Sequence, residues 1–122
     1  MAKLTDNEMM LIVYAAQAAA IEAGEKWMAE AEPKYIVGGN PDWTLLDLCG
    51  NAHVRTDDGR TRFAKFLKRL EPEGNRYTIT LPMRSKFSGR QEHGLKMAMA
   101  RAALKVLSEN NIPKFYIWDY ID

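Results

Sequence analysis

Along the chain, segments whose apolar residues recur with helical spacing alternate with segments patterned like strands, and this alternation limits the folds that the chain can adopt. Helical spacing of apolar residues predicts three helices, over residues 6–31, 61–70 and 90–109. The remaining patterned segments predict three strands, over residues 43–56, 76–83 and 114–121. The order α-β-α-β-α-β favours an α+β fold in which a small sheet of three or four strands carries a long N-terminal helix and two further helices.

Local signals mark where the predicted helices begin and end. Thr5 and Glu8 have the spacing of a capping box, in which each side chain binds the other residue's amide. Pro33 ends the first helix, because proline restricts the residue before it. Asn110 and Asn111 can supply a left-handed cap after the third helix. Gly50, inside a strand, indicates a bulge or a close backbone approach.

The first helix has two features that bear on packing. Its alanine-rich stripe permits another helix to approach closely, and residues 9–13 place apolar side chains around much of its circumference. More than one apolar face predicts more than one packing partner, so we expect a homo-oligomer. We therefore expect one domain over residues 1–122, with 1–33 as a helix available for self-association, 33–42 as a loop and 43–122 as the sheet-and-helix core.

Composition excludes several classes of protein. The chain has 122 residues, 47% of them hydrophobic and 27% charged, which is typical of one globular domain. Cys49 is the only cysteine, so an intramolecular disulfide and a cysteine-cluster metal site are excluded. No apolar run reaches the roughly 18 residues of a membrane span, and the N-terminus does not have the form of a signal peptide. We expect a cytoplasmic protein without a membrane partner.

Charge is unevenly distributed. Residues 55–105 contain thirteen Lys and Arg against five Asp and Glu, a net charge of +8, whereas residues 1–33 have a net charge of −4. A basic central segment predicts an anionic partner. The alternative is that these cations solvate the outer faces of two helices.

Two basic clusters lie at predicted strand-to-helix turns. The first consists of Arg60 and Arg62, and the second of Arg84, Lys86 and Arg90. The free amides and the dipole at a helix N-terminus favour an anion, and arginine binds phosphate through two parallel hydrogen bonds. If the two preceding strands run in the same direction, both turns lie at one edge of the sheet and hold one phosphorylated ligand between them.

Other residues near these turns complete the predicted site. The amides near Gln91 would contribute to the second phosphate contact. Phe87, Tyr77 or Trp43 could stack on a base; the alternative is that each is a core or surface-covering residue. The predicted ligand-binding set is Arg60, Arg62, Arg84, Lys86, Phe87, Arg90 and Gln91.

Catalytic and metal-binding patterns are weak. Cys49, His53 and His93 do not have metal-ligand spacing on one element, and a zinc site needs three or four ligands. Cys49 is interpreted as a core residue rather than a nucleophile, and Asp57 and Asp58 as part of a turn. We expect a protein that is not an enzyme and that has no metal or cofactor.

Short motifs in residues 45–122 resemble those of a group of small phage proteins. Those proteins carry a Cys-Gly-aromatic-Ala-x-Val strand, then a Gly-x-x-(Arg/Lys)-(Phe/Leu)-Ala-x-x-Leu helix, and close with an alanine-rich helix. The matching segments are 49–54, 59–67 and 91–112. The group includes or neighbours the phage Thoeris anti-defence proteins, which sequester cyclic ADP-ribose-type signals.

The resemblance implies a non-enzymatic, oligomeric protein with ligand pockets at subunit contacts. It places ligand contacts at Arg60 or Arg62 and at Gln91. The chain departs from the group in two places: Asn51 replaces the aromatic residue after Cys-Gly, and residues 77–83 replace an aromatic, glycine-rich strand.

Three functions follow as hypotheses. The first is a phage protein, acting in the host cytoplasm, that sequesters a small phosphorylated or cyclic nucleotide and so counters host defence. The second is a module that binds nucleic acid along the basic segment. The third is a phage inhibitor that binds a host protein through a charged face.

Overall fold

A computed structural model describes residues 3–31, 35–36, 44–45, 49–71, 77–81, 87, 90 and 92–121, with backbone only for 35–36 and 44–45. These residues form three helices, a three-stranded sheet and a separate pair of two-residue strands, which confirms the predicted α+β class and element order. In chain order the elements are α1 (Asp6–Glu30), β1 (Tyr35–Ile36), β2 (Thr44–Leu45), β3 (Gly50–Thr56), α2 (Arg62–Leu70), β4 (Tyr77–Ile79), α3 (His93–Glu109) and β5 (Tyr116–Ile121).

The caps predicted from the sequence are present. The Glu8 amide donates to the Thr5 hydroxyl (3.1 Å), and the Thr5 amide donates to the Glu8 carboxylate (3.0 Å). Asn111 adopts the left-handed conformation after α3, with φ of 58°. The Ile112 and Asn111 amides donate to the Leu107 and Ser108 carbonyls (3.0 and 3.1 Å), so the end of α3 is a Schellman motif.

α1 packs mainly against α3, and small residues let the two helices approach. Ala16, Ala20 and Gly24 of α1 are buried, as are Ala100 and Ala103 of α3. The predicted alanine stripe of α1 is therefore a packing surface.

The buried face of α3 differs from the prediction. The sequence pattern placed Ala98, Ala102 and Val106 inward with Leu95 and Met99. In the structure these three are half-buried, and the fully buried residues are Leu95, Met99, Ala100, Ala103 and Leu107. An alanine-rich helix has apolar residues on adjoining faces, so the pattern alone does not fix which face packs.

β3 is the central strand of the three-stranded sheet and runs antiparallel to both β4 and β5. Its buried residues Ala52, Val54 and Thr56 alternate with half-buried ones, as the pattern predicted. The helices cover the buried face, chiefly through α3. Gly50 marks a close backbone approach: a Cβ there would lie 2.5 Å from the Tyr120 carbonyl oxygen.

Three strand boundaries differ from the prediction. The predicted strand 43–56 is two strands, β2 and β3, with residues 46–48 outside the described part of the chain. The predicted loop 33–42 contains β1, which pairs antiparallel with β2. β4 ends at Ile79, before the predicted end at 83. The bounds of a strand depend on the segment with which it pairs, and the residue pattern within the strand does not show which segment that is.

α2 differs only at its end. Its inward residues are Phe63, Ala64, Phe66 and Leu67, while Leu70, predicted to point inward, is 40% exposed. Among the helices described, none is long and apolar enough to cross a membrane.

Candidate functional site

Arg60, predicted to bind phosphate, already contacts a carboxylate. Its Nε and a terminal nitrogen donate to the two Asp58 oxygens (3.0 and 3.1 Å), and its amide donates to the same side chain (3.0 Å). Lys114 also contacts Asp58 (2.6 Å). Arg60, then Lys114, hold the pKa of Asp58 well below its usual range. A phosphate at Arg60 would compete with this carboxylate.

Arg62 and Arg90 also have partners within the chain. The Arg62 Nε donates to the Leu4 carbonyl oxygen (2.6 Å), which ties the start of α2 to the segment before α1. The Arg90 guanidinium pairs with Glu92, whose side chain is fully buried. Because burial of a charged pair costs solvation, removing one partner of such a pair is strongly destabilising. Arg90 therefore has a structural partner whatever else it binds.

Phe87 is 3% exposed and lies in the core. A Cβ added at Gly24 would lie 2.8 Å from the Phe87 ring, so α1 covers it closely. Of its two interpretations, core residue or base-stacking residue, this position favours the first. Arg84, Lys86 and Gln91, like Trp43, lie outside the described residues. That the residues of the predicted set contact a ligand stays a prediction.

The sheet topology bears on whether the two predicted basic clusters can share a ligand. A shared ligand required the strands before them to run in the same direction, but β3 and β4 are antiparallel, with Val54 opposite Ile79 and Thr56 opposite Tyr77. The turn after β3 and the exit from β4 therefore lie at opposite ends of the pair. The condition on which one shared ligand was expected is thus not met.

The same antiparallel pairing brings Tyr77 to the turn after β3. A Cβ on Gly59 would lie 2.2 Å from the Tyr77 hydroxyl oxygen, so that hydroxyl sits directly against the Gly59 backbone. Any larger residue at position 59 would displace the tyrosine. Glycine at position 59 thus allows the Tyr77 hydroxyl to approach the backbone, in addition to forming the turn that the sequence suggested.

Beside Tyr77 lies an open cavity of about 440 Å³. We call it the α2 pocket; its described lining residues are Gly59, Lys65, Lys68, Arg69 and Tyr77. The volume lies within the range of about 300–1,000 Å³ that small-molecule sites occupy.

Positive charge is concentrated at the α2 pocket. Lys65 precedes Lys68 by three positions and Arg69 by four, so all three lie on one face of α2. Like charges at these spacings repel by a few tenths of a kcal/mol, and a bound anion would relieve that repulsion. Arg69 pairs with Asp6 (3.1 Å), but both side chains are more than half exposed. An exposed pair of this kind contributes about 1 kcal/mol or less, so a ligand can compete with it.

The sequence left Tyr77 as either a stacking or a covering residue, and the cations of residues 55–105 as either anion contacts or solvated helix faces; Lys65, Lys68 and Arg69 were not in the predicted ligand-binding set. The spacing of Lys65, Lys68 and Arg69 was a visible signal. What brings Tyr77 to them is the register of β4 against β3. That register is a tertiary property.

His53, His93 and Cys49, whose side chains are of types that can act in catalysis, each contact other parts of the fold. His93 contacts Asp119 (Nε2 to Oδ2, 2.8 Å), and His53 stacks on Trp118. Cys49, interpreted as core, is half-buried and forms an isolated bridge with Glu92. Within the described part of the chain, no group of three or more His, Cys, Asp or Glu could hold a metal ion.

Comparison of the chain with models of known families, with curated proteins and with solved structures gave no match.

Proposed function

We propose that this protein binds and sequesters a small phosphorylated nucleotide in the α2 pocket without altering it chemically. The observation that carries the proposal is the combination, in one cavity, of Lys65, Lys68 and Arg69 with the ring of Tyr77. The cations provide contacts for phosphate, and the tyrosine ring provides a surface for a base. Stacking of a base on an aromatic ring contributes about 1–3 kcal/mol.

Sequestration requires a minimum affinity of this site for its ligand. Sequestration of a signal needs about nanomolar affinity, roughly −12 kcal/mol. Exposed charge pairs contribute about 1 kcal/mol or less each, and one stacked base about 1–3 kcal/mol. One open pocket does not reach the required value. Closure of the pocket by a second copy of the chain would supply the missing contacts.

Self-association is therefore part of the proposal. Leu11 and Tyr14 on the outer face of α1 are 66% and 59% exposed, beside the exposed Ala15 and Ala18. An uncharged helix face of this kind suits another protein surface. The biological role is the one that the resemblance to phage anti-defence proteins implies: sequestration of a cyclic nucleotide signal in the host cytoplasm.

The test is a thermal-shift and calorimetric screen against cyclic ADP-ribose isomers, cyclic oligonucleotides, plain nucleotides and inorganic phosphate. A ligand at 100 times its dissociation constant stabilises the protein by about 2.7 kcal/mol. For a domain of this size the melting temperature rises on the order of 10 °C. The ligand recovered afterwards is expected to be chemically intact, and conversion to a product would contradict the proposal.

Charge reversal locates the site. We expect Lys65→Glu with Lys68→Glu to weaken binding about tenfold or more, since attraction is replaced by repulsion at two positions. Arg101→Glu with Lys105→Glu makes the same change in net charge on α3 and should leave affinity within about twofold. Equal loss in both variants would show a diffuse charge effect and not a pocket. If no small ligand shifts the melting temperature, the proposal fails and inhibition of a host protein becomes the better hypothesis.

A further inference from the structure

The face of the three-stranded sheet opposite the helices carries a row of aromatic and cationic side chains. We call it the aromatic sheet face; it consists of His53 and Arg55 of β3 and Tyr116, Trp118 and Tyr120 of β5. The register places His53 opposite Trp118 and Arg55 opposite Tyr116. Trp118 and Tyr120 are each 40% exposed.

These side chains orient one another. The His53 and Trp118 rings are stacked, with centroids 5.7 Å apart and planes at 29°. The Arg55 guanidinium carbon lies 4.5 Å from the centre of the Trp118 ring, and its Nε donates to the Tyr116 hydroxyl (3.0 Å). Trp118 and Tyr120 have centroids 5.0 Å apart. These contacts reduce the rotamer freedom that a ligand would otherwise have to restrict, while Trp118 and Tyr120 stay partly exposed.

The arrangement suits unstacked bases. Alternate residues of a strand lie about 6.6–6.8 Å apart on one face. RNA-binding sheets present aromatic residues of this kind and stack two or three bases of an extended single strand on them.

Charge on this face favours a polyanion over an ordinary protein partner. Arg55 lies on it, and both Arg55 and Lys96 lower the pKa of His53, after the larger effect of burial, so His53 stays neutral near pH 7. The nearby carboxylates are engaged: Asp57 accepts from the Tyr116 hydroxyl (2.8 Å), and Asp119 contacts His93.

A groove of about 360 Å³ adjoins the aromatic sheet face and shares His53 with it. Residues of β3, of β4 and its exit, and of α3 line it: apolar Ala52, Ile79 and Leu81, and hydrogen-bonding Asn51, Thr78, Thr80 and Lys96. Amide and hydroxyl groups beside a stacking surface can bind the edges of bases, and an ammonium group can bind a phosphate.

We infer that the aromatic sheet face binds single-stranded nucleic acid. Trp118 and Tyr120 stack on successive bases, Arg55 and Lys96 contact the phosphates, and the amide and hydroxyl side chains of the groove bind a base edge. This site is separate from the α2 pocket, because none of its residues lines that pocket. The inference therefore does not depend on the proposed function.

The test measures the anisotropy of a fluorescein-labelled twelve-nucleotide poly-dT or poly-U strand titrated with the protein at low salt. Wild-type protein is expected to bind, with a change in tryptophan fluorescence. Trp118→Ala and Tyr120→Ala are each expected to weaken binding about 5- to 150-fold, the effect of losing one stacked base. Trp118→Phe keeps a ring at the same position and should retain most of the affinity. Two phosphate contacts predict a shallow salt dependence, with log Kd rising by about 1.4 per unit of log salt.

Two controls separate the explanations. Ile121→Ala removes a large exposed side chain from the opposite face of β5 and should not change binding. Lys65→Glu with Lys68→Glu should weaken strand binding by less than about threefold, because the two lysines lie outside the proposed contact. No binding to either strand, or unchanged affinity in folded Trp118→Ala, would overturn the inference. So would a change in oligomeric state on Trp118→Ala with strand affinity intact, which would make the face a protein interface.

Discussion

At the scale of single residues, glycine is used where two parts of the chain must come close. Gly24 lies inside α1, where glycine costs about 1 kcal/mol relative to alanine. A Cβ there would lie 2.8 Å from the Phe87 ring and 3.1 Å from Met99. Packing of α1 against these two buried side chains is thus the reason that position 24 has no side chain.

The corresponding prediction concerns Gly24→Ala. Helix propensity favours alanine by about 1 kcal/mol, but overpacking a filled core costs about 1–3 kcal/mol. We expect net destabilisation of up to about 2 kcal/mol, measured by urea unfolding. Phe87→Leu shortens the side chain that Gly24 faces, so Gly24→Ala should cost less in that background. A Gly24→Ala variant that is more stable than wild type would show that the core has room at this position.

At the scale of elements, ion pairs join the ends of secondary structures. Asp58, in the turn between β3 and α2, binds both Arg60 and Lys114, the latter just before β5. Lys114 adopts a left-handed conformation (φ 69°), which is costly for a residue with a Cβ. The contact with Asp58 contributes to holding it there.

The pKa of Asp58 gives a pH-dependent prediction. Arg60, then Lys114, lower this pKa in the folded state, so the ionised form contributes stability above the ordinary value near 3.8 and loses that contribution as pH falls below it. We expect Asp58→Asn to lower the melting temperature at pH 7. The difference from wild type should shrink between pH 4 and pH 2. A difference independent of pH would mean that packing, not charge, is lost.

The control for this experiment is Glu22→Gln, which removes an exposed carboxylate from α1. Its melting temperature should follow that of wild type across the same pH range.

At the scale of the whole molecule, two exposed apolar or aromatic surfaces occur among the described residues. One is the outer face of α1 around Leu11 and Tyr14, and the other is the aromatic sheet face. They consist of different residues, so substitutions can test each surface separately.

The prediction at this scale is that the protein self-associates through α1. Light scattering at micromolar concentration should give a mass at least twice the 13.9 kDa of one chain. Leu11→Glu places a charge in the contact and should produce a monomer, because burying an unpaired charge is costly. Lys105→Glu, a charge change on α3, should leave the mass unchanged. A monomeric wild-type protein would contradict the prediction.

Local patterns in the sequence were enough to predict the three helices, the three strands of the main sheet and several of their ends. Thr5 and Glu8 are three residues apart, and Asn111 adjoins the helix that it caps, so the forces involved act within one turn of chain. The alternation in β3 is local in the same sense, since successive strand residues point to opposite faces. Such interactions can be predicted before any long-range contact is known.

How those elements meet depends on contacts between segments far apart in the chain. Arg62 contacts Leu4, 58 positions away in the chain, and Tyr77 reaches Gly59 through strand pairing. The direction of β4 against β3 removed the condition for a shared ligand and placed Tyr77 at the α2 pocket. Packing selected the buried face of α3 from adjoining apolar faces. These outcomes depend on the free energy of burying and pairing distant segments together, and a local pattern does not record which segments meet.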